Sequence, residues 1–243
     1  MSNPAIDTLK QALRPLAPYL RKPTPGPSWQ RSFSLIKRRG FAPNTVFDIG
    51  VAYGTHELYR AFPHAFYYLI DPTRESLPYM QKIAQHLDCQ ILNIALGDRE
   101  DEIEMEIRSD LLGSTFFEDY GPRDVLRRDK VPMRRFDQVI GPFETPALCK
   151  IDVQGAEMMV LAGMEGRMQD IDMFLIEASA IATLKDGPEV YNVVELMRRH
   201  GFVLFDVLGL VRRPLDWALA QLDLLFVRED SFLRSDRRWA EKA

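Results

Sequence analysis

Four acids in this chain stand at or near the ends of short apolar runs: Asp48 in VFDIG, Asp71 in FYYLID, Asp152 in LCKIDV and Glu177 in MFLIEA. A carboxylate is costly to bury without partners, so such an acid belongs at a strand's mouth, facing solvent or a ligand. If the strands run parallel, all four share one edge of a sheet. That edge can orient a cationic or hydroxyl-bearing ligand, and can take a proton from it. Behind Asp48 come Gly50 and Gly54, spaced Asp-x-Gly-x-x-x-Gly. Glycines there let the backbone approach a ligand closely.

Two cofactor classes compete for this loop. A pyrophosphate-bearing dinucleotide wants G-x-G-x-x-G at a helix N-terminus. The loop lacks that spacing, and Asp48 would repel pyrophosphate. S-adenosyl-L-methionine suits it better, with its sulfonium, ammonium and two ribose hydroxyls. Asp71 lies 17 residues beyond Gly54, where a carboxylate accepts both ribose hydroxyls in Rossmann-like sites. The expected cofactor contacts are Asp48, Gly50, Val51, Tyr53, Gly54, Thr55, Asp71, Ala95 and Leu96.

The elements that must position these residues follow from periodicity. Strands are predicted at TVFDIG, AFYYLID (65–71), CQILNIAL (89–96), ALCKIDV (147–153) and MFLIEA (173–178). DEIEMEIR (101–108) alternates strictly, as a half-exposed strand does. FVLFDV (202–207) and DLLFVR (223–228) are separated by a connector with no clear helix, which suits an antiparallel pair. Helical faces fall at Leu77, Met80, Ala84 and Leu87, and at Val190, Val194 and Met197. SWQRSFSLIKRRG reads as a helix stopped by Gly40, its Lys37-Arg38-Arg39 run favoured by the helix dipole. The sum is an α/β fold: a doubly wound, mostly parallel, Rossmann-like sheet with an antiparallel edge pair and N-terminal helices. Ile6, Leu9, Leu13, Leu16 and Leu20 form one helical stripe, interrupted by Pro15 and Pro18, which must pack on the chain itself or on a second copy.

Composition narrows the function classes. The 243 residues carry a formal charge of −4, which gives no general attraction to nucleic acid or anionic membrane. The two cysteines make no disulfide framework or metal cluster, and no run is apolar enough to span a bilayer. A soluble protein of the reducing cytoplasm, monomer or weak homodimer, is expected.

In the order VFDIGVAYGT, LIDP, NIALGD, LGSTFF, RRFDQVI and LCKIDVQGAEMMVLAG, the chain resembles the FkbM family of methyltransferases over roughly residues 45–228. The most specific piece is Lys150 to Glu157. The resemblance implies a class I methyltransferase fold, S-adenosyl-L-methionine as donor, and transfer to a hydroxyl oxygen of a sugar, glycoconjugate or secondary metabolite. It divides the chain into an N-terminal helical segment (1–40), a methyltransferase domain (41–230) and a tail (231–243). It also sets the LLGSTFF loop, with Ser114 and Thr115, near cofactor or acceptor. One departure stands out. The family's first loop usually reads Asp-x-Gly-Ala-Asn-x-Gly, and here Ala52 replaces the Asn. Either a polar contact is lost or Tyr53 takes its place.

Methyl transfer to a hydroxyl needs positioning and a proton acceptor. Asp152, Glu157 and Glu177 are the expected catalytic residues, with His56 as reserve base. Asp152 and Glu177 offer oxygen ligands for a divalent cation, but no third ligand is evident and no metal is expected. The alternatives are a nitrogen acceptor on a small molecule, or a non-catalytic adenosylmethionine-type binder.

Overall fold

The computed structural model describes residues 26–122 and 124–239. The stripe from Ile6 to Leu20 lies outside the described residues. The chain enters through α1 (Trp29–Arg38) and proceeds through β1 (Thr45–Ile49), α2 (His56–Ala61), β2 (Phe66–Ile70), α3 (Leu77–Ile83), β3 (Cys89–Leu92), β4 (Ala95–Leu96), β5 (Asp101–Arg108) and β6 (Val125–Arg134). Then come α4 (Phe136–Val139), β7 (Ala147–Ile151), α5 (Glu157–Gly163), β8 (Met173–Ser179), α6 (Val190–Arg199), β9 (Phe202–Arg212) and β10 (Leu219–Arg228).

Seven strands form the main sheet in the order β3-β2-β1-β7-β8-β10-β9. The first five are parallel and follow the Rossmann order. β10 runs antiparallel to both β8 and β9, so the predicted edge pair is present. Every residue of β1 and β7 is buried, which explains their unbroken apolar reading. One face packs against α1, α2 and α3 through Phe33, Ile36, Leu58 and Met80. The other packs against α4, α5 and α6 through Phe136, Val160, Leu161 and Met197.

α1 starts where Ser28 accepts a hydrogen bond from the Arg31 N–H, and ends before Gly40 at φ +98°. The basic run at its end binds carbonyls: Lys37 donates to Ala61 O and Arg39 to Leu233 O.

Two features depart from the sequence prediction. CQILNIAL is not one strand. It breaks at Asn93, whose amide donates to the carbonyls of Asp71 and Thr73. Ala95 and Leu96 then join a second sheet, ordered β4-β6-β5. Its middle strand, β6, escapes the pattern because VLRRDKVPMR carries five charges and a proline. Only Val131 and Met133 are buried, while Arg127 pairs with Glu75 and Asp129 and Arg128 with Glu106. Ion pairs, which hydrophobic periodicity does not register, hold its polar half: Arg128 to Glu106 crosses to β5, while Arg127 is tied to Asp129 on its own strand and to Glu75 outside the sheet. β5 forms as predicted, with Met105 and Ile107 turned inward.

Candidate active site

The loop after β1 is shaped by close approaches. Gly50 sits at φ +82°, and a Cβ there would fall 1.8 Å from the Asp152 carbonyl oxygen. Only glycine lets the loops after β1 and β7 cross. Gly54, at φ +108°, leaves room for Ile83. Between them Ala52 is also left-handed, at φ +46°. Asn adopts that conformation more readily than other non-glycine residues, so Ala52 carries a backbone cost that an Asn would reduce. The substitution changes a backbone cost, and the Ala52 N–H still donates to Asp71 Oδ2 at 2.8 Å.

Asp48, expected as a cofactor contact, does not reach the open side of this loop. It lies within β1, fully buried beneath the loop. Its oxygens accept from Thr55 Oγ1 (3.0 Å) and the Tyr59 hydroxyl, and it pairs with Lys150 Nζ at 3.3 Å. The cause is register: one residue before the end of β1, Asp48 points onto the face packed by α2. Burial first, then the Asp48 charge, pushes the Tyr59 phenol far above its ordinary range. Lys150 Nζ also donates to Gly50 O at 2.6 Å and lies 3.4 Å from Asp152 Oδ2. Burial pulls its ammonium down, but Asp152 and Asp48 outweigh that and hold it charged.

Above the loop lies a cleft of about 610 Å³ along the carboxyl edge of the sheet. At one end it is lined by Gly50, Val51, Tyr53, Gly54, Thr55, Asp71, Ala95 and Leu96, every expected cofactor residue except Asp48. Asp71 is nearly buried. Oδ1 accepts from the Thr73 N–H (2.9 Å) and hydroxyl (2.6 Å), which fixes its direction. Tyr53 stands at the rim, edge-on to Tyr79 at 5.0 Å. A glycine cradle, a fixed acid and the apolar side chains of Ala95 and Leu96 fit an adenosine-type ligand.

The other end is lined by side chains from distant segments. Asp152, Glu157 and Glu177 meet there, as the sequence predicts. Glu157 accepts from the N–H groups of Gly155 (3.0 Å) and Val153 (3.3 Å), so it closes the turn after β7. Burial pushes it up to about 7, against the pull of these N–H groups. Gln154 Nε2 bridges the other two acids, donating to Asp152 Oδ1 at 2.9 Å and Glu177 Oε2 at 2.7 Å. Gln221 Nε2 gives Glu177 Oε2 a second bond at 2.8 Å. Burial, then the charges of Asp152, Asp223 and Glu157, hold the Glu177 carboxyl well above the usual range. An amide thus sits between the pair weighed as cation ligands. Among the described residues, no group of three His, Cys, Asp or Glu side chains is set to hold a metal ion.

Sequence reasoning missed Gln154, Gln221, Asp223, Trp29 and Arg108, all on the cleft wall. One signal existed: Asp223 heads the run DLLFVR, and an antiparallel strand enters at the edge where its parallel neighbours leave. Arg108, almost fully buried, pairs with Asp119 and with Glu106. The LLGSTFF loop borders the same end through Leu111, Leu112, Gly113, Ser114 and Phe116. His56 is exposed at the start of α2 and is not on the cleft wall.

No helix among the described residues is long and apolar enough to cross a membrane. The methyltransferase FkbM domain matches residues 48–204. No match is found among curated proteins. Among solved structures, the methyltransferase FkbM from Methylobacillus flagellatus KT is 16% identical with a TM-score of 0.48, over 81% of this chain and 48% of that one. This chain therefore spans about half the length of that protein. Magnesium protoporphyrin IX methyltransferase from Synechocystis PCC 6803, solved with bound S-adenosylmethionine, is 12% identical with a TM-score of 0.47, over 82% and 79%. The 1,6-didemethyltoxoflavin-N1-methyltransferase from Burkholderia thailandensis, with S-adenosylhomocysteine bound, is 15% identical with a TM-score of 0.43, over 83% and 79%. With the domain match running over more than half of its length, and the cradle, Asp71 and the Lys150–Glu157 turn lying within it, the chain belongs to the FkbM family of S-adenosylmethionine-dependent methyltransferases.

Proposed function

We propose that this protein methylates a hydroxyl oxygen of a sugar, glycoconjugate or secondary metabolite. The observation that carries this reading is Glu177: a carboxyl held high by burial and like charge, fixed by two amides, on the wall of the cleft that also contains Asp71. An amine acceptor loses its proton readily, whereas a hydroxyl needs a base as it attacks.

The bound donor supplies an electrophilic methyl group on a good leaving group. The backbone from Gly50 to Thr55 and the carboxylate of Asp71 would hold its ribose and amino-acid parts, with Ala95 and Leu96 against the base. Asp152, fixed by Lys150 and Gln154, would orient the donor's ammonium or the acceptor. Glu177, once ionised, would take the proton from the acceptor hydroxyl. Glu157 holds the turn that carries Asp152 and Gln154. Much of the rate comes from holding the two reactants in line.

The test is transfer of a labelled methyl group to a library of glycans and small hydroxylated metabolites, with the Glu177→Gln variant beside the wild type. Product methylated on oxygen, and lost in the variant, supports the reading. Product methylated on nitrogen contradicts it.

A further inference from the structure

The site extends beyond the segment that matches the family. That segment covers 48–204, yet Trp29 on α1 and Asp223 on β10 both line the cleft. Asp223 is the register partner of Glu177 across the β8–β10 ladder. Directly paired residues share one face, and like charges so placed are destabilising. The pair is nonetheless built with care. Trp29 Nε1 donates to Asp223 Oδ2 at 2.8 Å. On the neighbouring strand, Gly209 leaves the space that this oxygen needs: a Cβ there would stand 2.0 Å from it. Anchoring α1 alone would not require an acid opposite a second half-buried acid.

We propose that Asp223, held by Trp29, is a further positioning residue of the site, and that its carboxyl, from across the ladder, governs when Glu177 carries charge. This rests on the reading of Glu177 as the base. Every element around Glu177 contributes to its charge state. β7 and its loop bring Lys150, Asp152 and the Gln154 amide, α5 brings Glu157, and β10 brings Asp223 and the Gln221 amide. Lys150 opposes the acids, as do the two amide donors, and it is shared with Asp48, Asp152 and the Gly50 carbonyl. Burial raises Asp223 above the usual range while the Trp29 bond favours its ionised form. An ionised Asp223 keeps the proton on Glu177 to higher pH.

The test is a carboxyl-carbon NMR titration of the full chain without donor or acceptor, in wild type, Asp223→Asn and Trp29→Phe, with Glu177→Gln to assign the Glu177 signal. In Asp223→Asn the Glu177 midpoint moves to lower pH by about one unit, because a like charge is gone. In Trp29→Phe the Asp223 midpoint rises, because its donor is gone. An unmoved Glu177 midpoint in a folded Asp223→Asn protein overturns the proposal. If that variant does not fold, an unmoved Asp223 midpoint in Trp29→Phe overturns it instead. Because turnover of Glu177→Gln tests the base separately, a failed titration removes Asp223 and leaves the base reading standing.

Discussion

The two ends of the cleft are built from different materials. At the Asp71 end the shape is backbone: Gly50, Ala52 and Gly54 all sit at positive φ, and Lys150 ties the Gly50 carbonyl to Asp48 beneath. At the Glu177 end it is side chains, brought from α1, β5, the turn after β7, β8 and β10. The first arrangement has one geometry and suits a ligand common to a family. The second can be altered residue by residue, and suits a partner that differs between members. Acids at the two ends differ accordingly. Asp71 is pinned by backbone hydrogen bonds from its own loop and from the loop after β1, while Glu157, Glu177 and Asp223 are all raised by burial.

The largest effect should come from Gly50. Replacing it with Ala drives a Cβ into the Asp152 carbonyl, so the loops must part. We expect a loss of roughly 3 kcal/mol or more in stability, and loss of donor binding. Chemical denaturation and calorimetry check this, and an unchanged variant would break the claim that backbone shapes that end.

Next, Glu177→Gln should lower turnover about 100-fold or more, as loss of a general base does. In the wild type, turnover should rise with pH as Glu177 ionises, above the usual carboxylate range because its carboxyl is held high. A rate profile flat across that range would count against the assignment.

Glu157 offers a smaller, stability-based test. Its folded value of about 7 lies above the ordinary 4.5, so the native state binds more protons than the unfolded chain between them. Its contribution is fully present below about pH 4.5 and is lost as pH rises through about 7. Glu157→Gln should remove that slope, a difference of ~1–3 kcal/mol. Thermal unfolding from pH 5 to pH 8 measures it.

The smallest effect concerns Ala52. Ala52→Asn should stabilise by ~0.5–1 kcal/mol, since Asn tolerates the left-handed conformation better. A destabilised variant would mean that its side chain, and not its backbone, decides the loop.

The same division explains what was legible in the sequence. Parallel strands buried on both faces announce themselves as apolar runs, so β1, β2, β7 and β8 could be read directly. Gly50, Gly54 and Asp71 follow from spacing, because backbone constraints leave few residue types at such places. Asp48 misled because spacing does not say whether an acid points above or below its loop. β6 was hidden by charges whose partners lie on β5, on the turn before α3 and on β6 itself. Trp29, Gln221 and Asp223 were hidden because their partners lie across long stretches of chain: Trp29 meets Asp223, Asp223 faces Glu177, and Gln221 meets Glu177 and Gln154. Nothing local marks a tryptophan near the N-terminus as the hydrogen-bond donor of an acid on the last strand.

The central claim is that one end of the cleft binds the donor and the other does the proton chemistry. Calorimetric titration of S-adenosyl-L-methionine into wild type, Asp71→Ala and Glu177→Gln tests it without knowledge of the acceptor. Asp71→Ala should weaken binding by ~2–4 kcal/mol, the loss of two charge-assisted hydrogen bonds. Glu177→Gln should leave the affinity within about threefold of the wild type, less than ~0.7 kcal/mol. Unchanged affinity in Asp71→Ala, or equal weakening in both variants, would contradict the account.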